Sequence, residues 1–146
     1  MAQDERQILN LLSRYMELVD AAEKEQVAEL FRHATVRARA GGQENVMVGY
    51  DEFLVSKAGE RVYEDGTLKT KHLLTNTILD IDGELAYARS YYTVLQATDE
   101  LPLQPIICGR YHDTFEKVEG AWRFKERIFF ADLVGNMSQH LDNSPV

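Results

Sequence analysis

The spacing of apolar residues changes once along this chain, and that change does most to limit the folds open to it. Over the first thirty or so residues apolar side chains recur at three- and four-residue intervals, whereas from Thr70 onward the period is two. The runs Thr70 to Ile81, Leu85 to Thr98, Ile106 to Lys117 and Trp122 to about Leu133 therefore read as long strands. Asp82-Gly83 carries the type I′ hairpin signal between the first two, and Glu119-Gly120 turns the third into the fourth. A Pro-containing loop, Leu101 to Pro105, separates the second from the third. Helices first and an antiparallel meander after them is an α+β order. Each strand is half apolar, so the meander has to curl around the helices. A curled sheet encloses a cavity wherever the inner side chains do not fill it.

The helical part resolves into pieces. Asp4, with Gln7 three residues on, has capping-box spacing for a first helix. Ile8, Leu11, Leu12, Tyr15, Val19 and Ala22 then fall on one face at about 100° per residue. A short second helix follows over Lys24 to Phe31. Thr35 to Ala40 alternates like a strand, Gly41-Gly42 turns the chain, and Asn45 to Val48 is a short strand. Asp51 is placed to cap a third helix running to about Gly59, with Phe53 and Leu54 inward. The final dozen residues have little pattern, so 134–146 is expected as a flexible tail or as a segment that packs on a neighbour. At 146 residues the chain is the size of one domain.

Composition removes several function classes. The net charge of -8 and the lack of any Lys/Arg run argue against nucleic acid, which demands a basic surface to displace its counterions. The same acidity would repel an anionic membrane face, and no stretch approaches the roughly 18 unbroken apolar residues of a span. The amino terminus turns charged at once, unlike a signal peptide. Cys108 is alone and cannot form an internal bridge. A cytoplasmic protein is expected.

No P-loop, nucleophile elbow, dinucleotide fingerprint or H-E-x-x-H string is present. His33, His72, His112 and His140 are far apart and lack metal-ligand spacing, so no metal is expected. What remains is a set of polar residues beside apolar ones. Asp20 lies beyond the edge of the apolar arc of the first helix, which suits either a solvated acid or one that looks into a cavity. Tyr15 sits near the centre of that arc. His72 lies in an apolar strand, sharing a face with Leu74, Asn76 and Ile78, as a structural residue or a catalytic one. Arg127 stands among Ile128, Phe129 and Phe130; a buried arginine needs a carboxylate or an anion.

These positions occur in an ordered series. It runs Tyr15-x-x-x-x-Asp20, Ala28-Glu29-Leu30-Phe31, His33-Ala34-Thr35-Val36, His72-Leu73-Leu74-Thr75-Asn76 and Asp82-Gly83-Glu84-Leu85-Ala86. It ends with Gly109-Arg110-Tyr111-His112-Asp113-x-Phe115 and Gly120-Ala121-Trp122-Arg123-Phe124-x-x-Arg127. The series resembles SnoaL-like proteins of the nuclear transport factor 2 (NTF2) superfamily from near the first residue to about Leu133. The resemblance implies a cone-shaped α+β barrel, a curved antiparallel sheet packed on N-terminal helices around a pocket. Within the superfamily the chain looks most similar to scytalone dehydratase, bile-acid 7α-dehydratase and hexachlorocyclohexane dehydrochlorinase.

That likeness implies a cofactor-free lyase with an Asp20–His72 dyad, Tyr15 as hydrogen-bond donor and Arg127 as stabiliser of departing negative charge. Asn76, Trp122, Phe129, Tyr50 and His112 are the residues expected to contact substrate. The dehydratases carry a further acid or histidine on the second long strand, about where Leu95 and Gln96 fall here, so another group has to return the proton if one is needed. The expected substrate is a hydrophobic, ring-containing small molecule, handled by elimination, isomerisation or cyclisation, with self-association as a dimer or trimer through the outer sheet face. The β subunits of aromatic-ring-hydroxylating dioxygenases share the fold and offer a non-catalytic alternative; an inert ligand-binding module is another.

Overall fold

The structure, a computed structural model, describes residues 2–142. Helix α1 (Ala2–Asp20) and the short α2 (Lys24–Leu30) come first, followed by the strands β1 (Thr35–Ala40) and β2 (Gln43–Val48) and the helix α3 (Gly49–Ser56). The long strands β3 (Thr70–Asp82), β4 (Leu85–Thr98), β5 (Leu101–Val118) and β6 (Ala121–Val134) complete the chain order. All six strands form one sheet in the order β2-β1-β6-β5-β4-β3. The α+β class is as expected, with one addition. The β1–β2 hairpin extends the meander because β1 pairs in parallel with β6, Val36 beside Arg127.

Two of the tight turns follow from glycine. Gly41 and Gly42 both take positive φ at the β1–β2 turn, and Glu119 and Gly120 do so between β5 and β6, the pattern a type I′ turn requires. The β3–β4 turn departs from expectation. Asp82 pairs with Leu85, so the turn residues are Gly83-Glu84, and only Gly83 has positive φ. Asp4 is likewise not a cap: α1 begins at Ala2, and the Asp4 carboxylate instead accepts hydrogen bonds from Trp122 Nε1 at 2.9 Å and Lys117 Nζ at 3.0 Å. At α3 the Val48 N–H is satisfied by Glu52 Oε1 (2.9 Å), not by Asp51. Strand β5 starts at Leu101, so the loop expected over 101–105 is part of the sheet, with register shifts where its prolines fall.

The core lies between α1 and the concave side of the sheet. Ile8, Leu12, Tyr15, Met16 and Val19 of α1 face Tyr111, Phe115 and Phe124 of the sheet, all buried. Each such side chain contributes roughly 1.5–3 kcal/mol by leaving water. Cross-strand rows on this inner side place Ser90 by Tyr111 by Phe129, and Ala88 by Asp113 by Arg127.

Residues 135–142 fold back over one end of the cone, where the sequence suggested a patternless tail. Gly135 N–H bonds Ile106 O (2.7 Å), Arg61 N–H bonds His140 O (2.8 Å), and Asp142 N–H bonds Gly59 O (2.9 Å). Gln96 Nε2 reaches Gln139 O at 3.1 Å, and Arg61 pairs with Asp142. Most of these bonds are made by backbone groups, which leave no pattern in a sequence. The last four residues of the expected tail lie outside the described residues.

Candidate active site

Asp20 is the last residue of α1, where its negative charge gains nothing from the helix dipole. It is held there by donors from the start of β3. Thr70 Oγ1 donates to Oδ1 at 2.7 Å, and the His72 backbone N–H donates to Oδ2 at 2.9 Å. The His72 ring nitrogen Nδ1 lies 2.6 Å from Oδ1. Period two puts Thr70 and His72 on the same side of β3, so one strand end supplies all three donors. Both side chains of the dyad are largely withdrawn from solvent, at 8% exposure for His72 and 13% for Asp20. Burial by itself would raise the carboxyl pKa, but the bonds from His72 and Thr70 outweigh it and hold Asp20 below the ordinary carboxylate value. Against an ionised acceptor, Nδ1 carries the proton of the neutral ring and Nε2 keeps its lone pair. No described residue bonds Nε2.

The dyad opens onto a depression of about 830 Å³ whose lining includes Met16, Leu95, Gln96 and Leu103. Glu17, Asp65, Lys69 and Lys71 line it as well, so apolar and charged side chains share its wall. Arg127 lies elsewhere. It is 1% exposed and forms a two-point pair with Asp113, Nε to Oδ1 at 2.7 Å and Nη2 to Oδ2 at 3.0 Å. Its guanidinium stacks 3.7 Å over the Tyr111 ring and 4.3 Å over Tyr15. Burial opposes its charge, but the attraction of Asp113 is stronger and raises its pKa, so it stays protonated. Of the two readings open from the sequence, the ion pair is present, with Nη1 alone unpartnered. Tyr15 is buried edge-on to Phe31 and Tyr111. Neither Tyr15 nor Arg127 lines the depression, and at their level rings fill the interior of the cone.

The model of the SnoaL-like domain matches residues 1–128. The chain belongs to the SnoaL-like family. No curated protein sequence matches it at a significant level. Solved structures do. One is an NTF2-like protein with a cystatin-like fold from Novosphingobium aromaticivorans, 18% identical, with a TM-score of 0.71 over 89% of this chain and 82% of that one. A candidate scytalone dehydratase from the same organism is 24% identical, with a TM-score of 0.69 over 90% and 86%. The β subunit of a candidate aromatic-ring-hydroxylating dioxygenase, also from that organism, is 20% identical, with a TM-score of 0.71 over 96% and 97%. At these identities the likeness is one of fold.

In this SnoaL-like chain the five residues expected to contact substrate do not line the depression. Trp122 is tied to Asp4, about 24 Å of helix axis from Asp20. His112 is exposed on the convex side of the sheet, edge-on to Phe130, so it cannot serve a pocket inside the cone. Tyr50 lies beneath the Arg32 guanidinium. Asn76 sits exposed in a β3 bulge at φ 42, accepting from Thr75 Oγ1, because the bulge breaks the alternation that put it on the His72 side. Phe129 stacks on Tyr92 in the inner wall.

Conversely, Thr70 and Gln96 line the depression, and His140 follows the Gln139 carbonyl that Gln96 Nε2 bonds, though none of the three was singled out as a site residue. Thr70 could have been found, two residues before His72 on the same side. His140 could not, because only the fold brings the C-terminal segment here. Among the described residues no cluster of three His, Cys, Asp or Glu side chains could hold a metal ion, and no helix is long and apolar enough to cross a membrane.

Proposed function

We propose that this SnoaL-like protein is a cofactor-free enzyme in which His72 takes a proton from a carbon acid. The substrate is a hydrophobic, ring-containing molecule that undergoes elimination, isomerisation or cyclisation. The observation that carries this reading is the 2.6 Å contact between His72 Nδ1 and Asp20, with Nε2 left unbonded beside a depression lined by both apolar and charged side chains. The ionised Asp20 fixes the ring tautomer and stabilises the imidazolium that forms when Nε2 accepts the proton. Arg127, paired with Asp113, and Tyr15 pack in the ring-filled interior away from the depression and in this reading do not touch the reacting atoms.

The test is turnover, or deuterium wash-in from heavy water, on a panel of ring-bearing alcohols, halides and ketones. His72→Ala is expected to lower the rate on the order of 10²–10⁴-fold, with Asp20→Asn also impaired. A folded His72→Ala protein that retains the full rate sinks the proposal. One observation favours a second reading: the dioxygenase β subunit matches almost end to end in both chains. Co-purification with an iron-bearing partner subunit, together with indifference of all assays to His72→Ala, would favour that structural role.

A further inference from the structure

The donors that reach Asp20 all come from the first residues of β3, just after a bend in the chain. Lys69, the residue at that bend, takes φ 54, a left-handed conformation that a side-chain-bearing residue keeps only where its neighbours hold it. Three bonds do so. Leu68 N–H donates to the backbone carbonyl of Asp20 at 3.1 Å, and Ala97 N–H donates to Lys69 O at 3.4 Å. The third comes from a side chain: Gln96 Nε2 donates to Leu68 O at 3.1 Å, and also to Gln139 O at 3.1 Å. Gln96 is 1% exposed and stands opposite Thr70 across the β3–β4 ladder. Among the described residues nothing bonds its Oε1, so the amide is oriented wholly through its nitrogen.

We infer that Gln96 is a positioning residue for the dyad: by holding the Leu68 carbonyl it keeps Lys69 in its bend, and so aims Thr70 and His72 at Asp20. Glutamine suits the task because one buried side chain brings two N–H groups on a single nitrogen; a methionine of similar shape brings none. Without the bond to Leu68 O, the strain at Lys69 is free to relax, and relaxation there turns the start of β3 that carries both donor residues. The second bond ties the C-terminal segment to the same amide, so the docking of that segment and the alignment of the dyad share one anchor.

The inference rests on reading Asp20 and His72 as the working pair of the proposed function, but its test observes the pair directly and needs no substrate. In the intact, ¹⁵N-histidine-labelled protein, the quantity measured is the exchange of the His72 Nδ1 proton with water. For Gln96→Met that exchange is expected to be at least about tenfold faster than in the parent. Tyr92→Phe removes a different buried bond on β4, to Phe130 O, and should lower the melting temperature yet leave the exchange within about twofold of the parent. Adding Lys69→Gly to Gln96→Met should restore most of the lost protection, because glycine adopts positive φ without strain. In the parent, both Gln96 amide protons should be shielded from solvent exchange, a readout independent of any variant folding. A folded Gln96→Met protein with unaltered Nδ1 exchange overturns the inference. So does an equal loss in Tyr92→Phe, no recovery on adding Lys69→Gly, or Gln96 amide protons that exchange like those of a surface glutamine.

Discussion

Asp20 ends a helix at the negative end of its dipole, yet it is ionised, because three donors from two residues converge on its two oxygens. Removing one of them tests the balance. Thr70→Val is expected to raise the Asp20 pKa toward its ordinary value in a carboxyl NMR titration. It should also cost about 1.5–3 kcal/mol, the worth of a hydrogen bond to a charge; an unmoved Asp20 would show that His72 suffices alone. Arg127 gives the converse case. Asp113→Ala leaves a buried guanidinium uncompensated and should destabilise by about 3–5 kcal/mol in urea unfolding. A loss under about 1 kcal/mol would show that the rings around Arg127, not Asp113, hold it. At this scale the sequence was partly readable. His72 and Asp20 stood out as polar residues beside apolar ones, and the buried setting of Arg127 was visible from its neighbours. Its partner was not, since Asp113 faces it only through the β5–β6 register.

Among the elements, β5 shows how one residue governs a strand crossing. Gly109 lies where the Tyr92 side chain crosses toward its bond with Phe130 O, and a β-carbon there would fall 1.8 Å from that same oxygen. Backbone cannot give way as a flexible side chain can, so Gly109→Ala is expected to cost at least about 3 kcal/mol. A thermal melt within a degree or two of the parent would contradict that close packing. The elements themselves were legible, because a 3.6-residue or two-residue period is a local property of the chain. Their ends were less so. The β3–β4 turn moved by one residue, β5 absorbed a proline-bearing loop, and Asp4 served Trp122 and not a helix cap. Each of these was decided by a partner distant in sequence.

At the scale of the molecule, two buried groups link stability to pH in a defined direction. The folded pKa of His140 lies below the ordinary 6.5, so between those values the unfolded chain binds more protons. That contribution is present above pH 6.5 and lost as pH falls through the folded value. Asp20 acts lower: its stabilisation is present above the ordinary 3.8 and lost as pH falls through its depressed folded value. Unfolding free energy should therefore fall in two stages on acidification, and His140→Asn should flatten the first while Asp20→Asn flattens the second. A His140→Asn protein with an unchanged profile just below pH 6.5 would contradict the first assignment.

By itself the sequence determined the order of helices and strands and the α+β class, because these depend on local spacing; the pairing of Asp20 with His72 was expected only from the resemblance to SnoaL-like proteins. Only the tertiary structure decided which groups meet. It joined Asp20 to a ring fifty-two residues away, bound Arg127 to Asp113, and laid the Gln139 carbonyl on Gln96. Such meetings depend on how the sheet curls and where the chain end docks, and neither leaves a period to read.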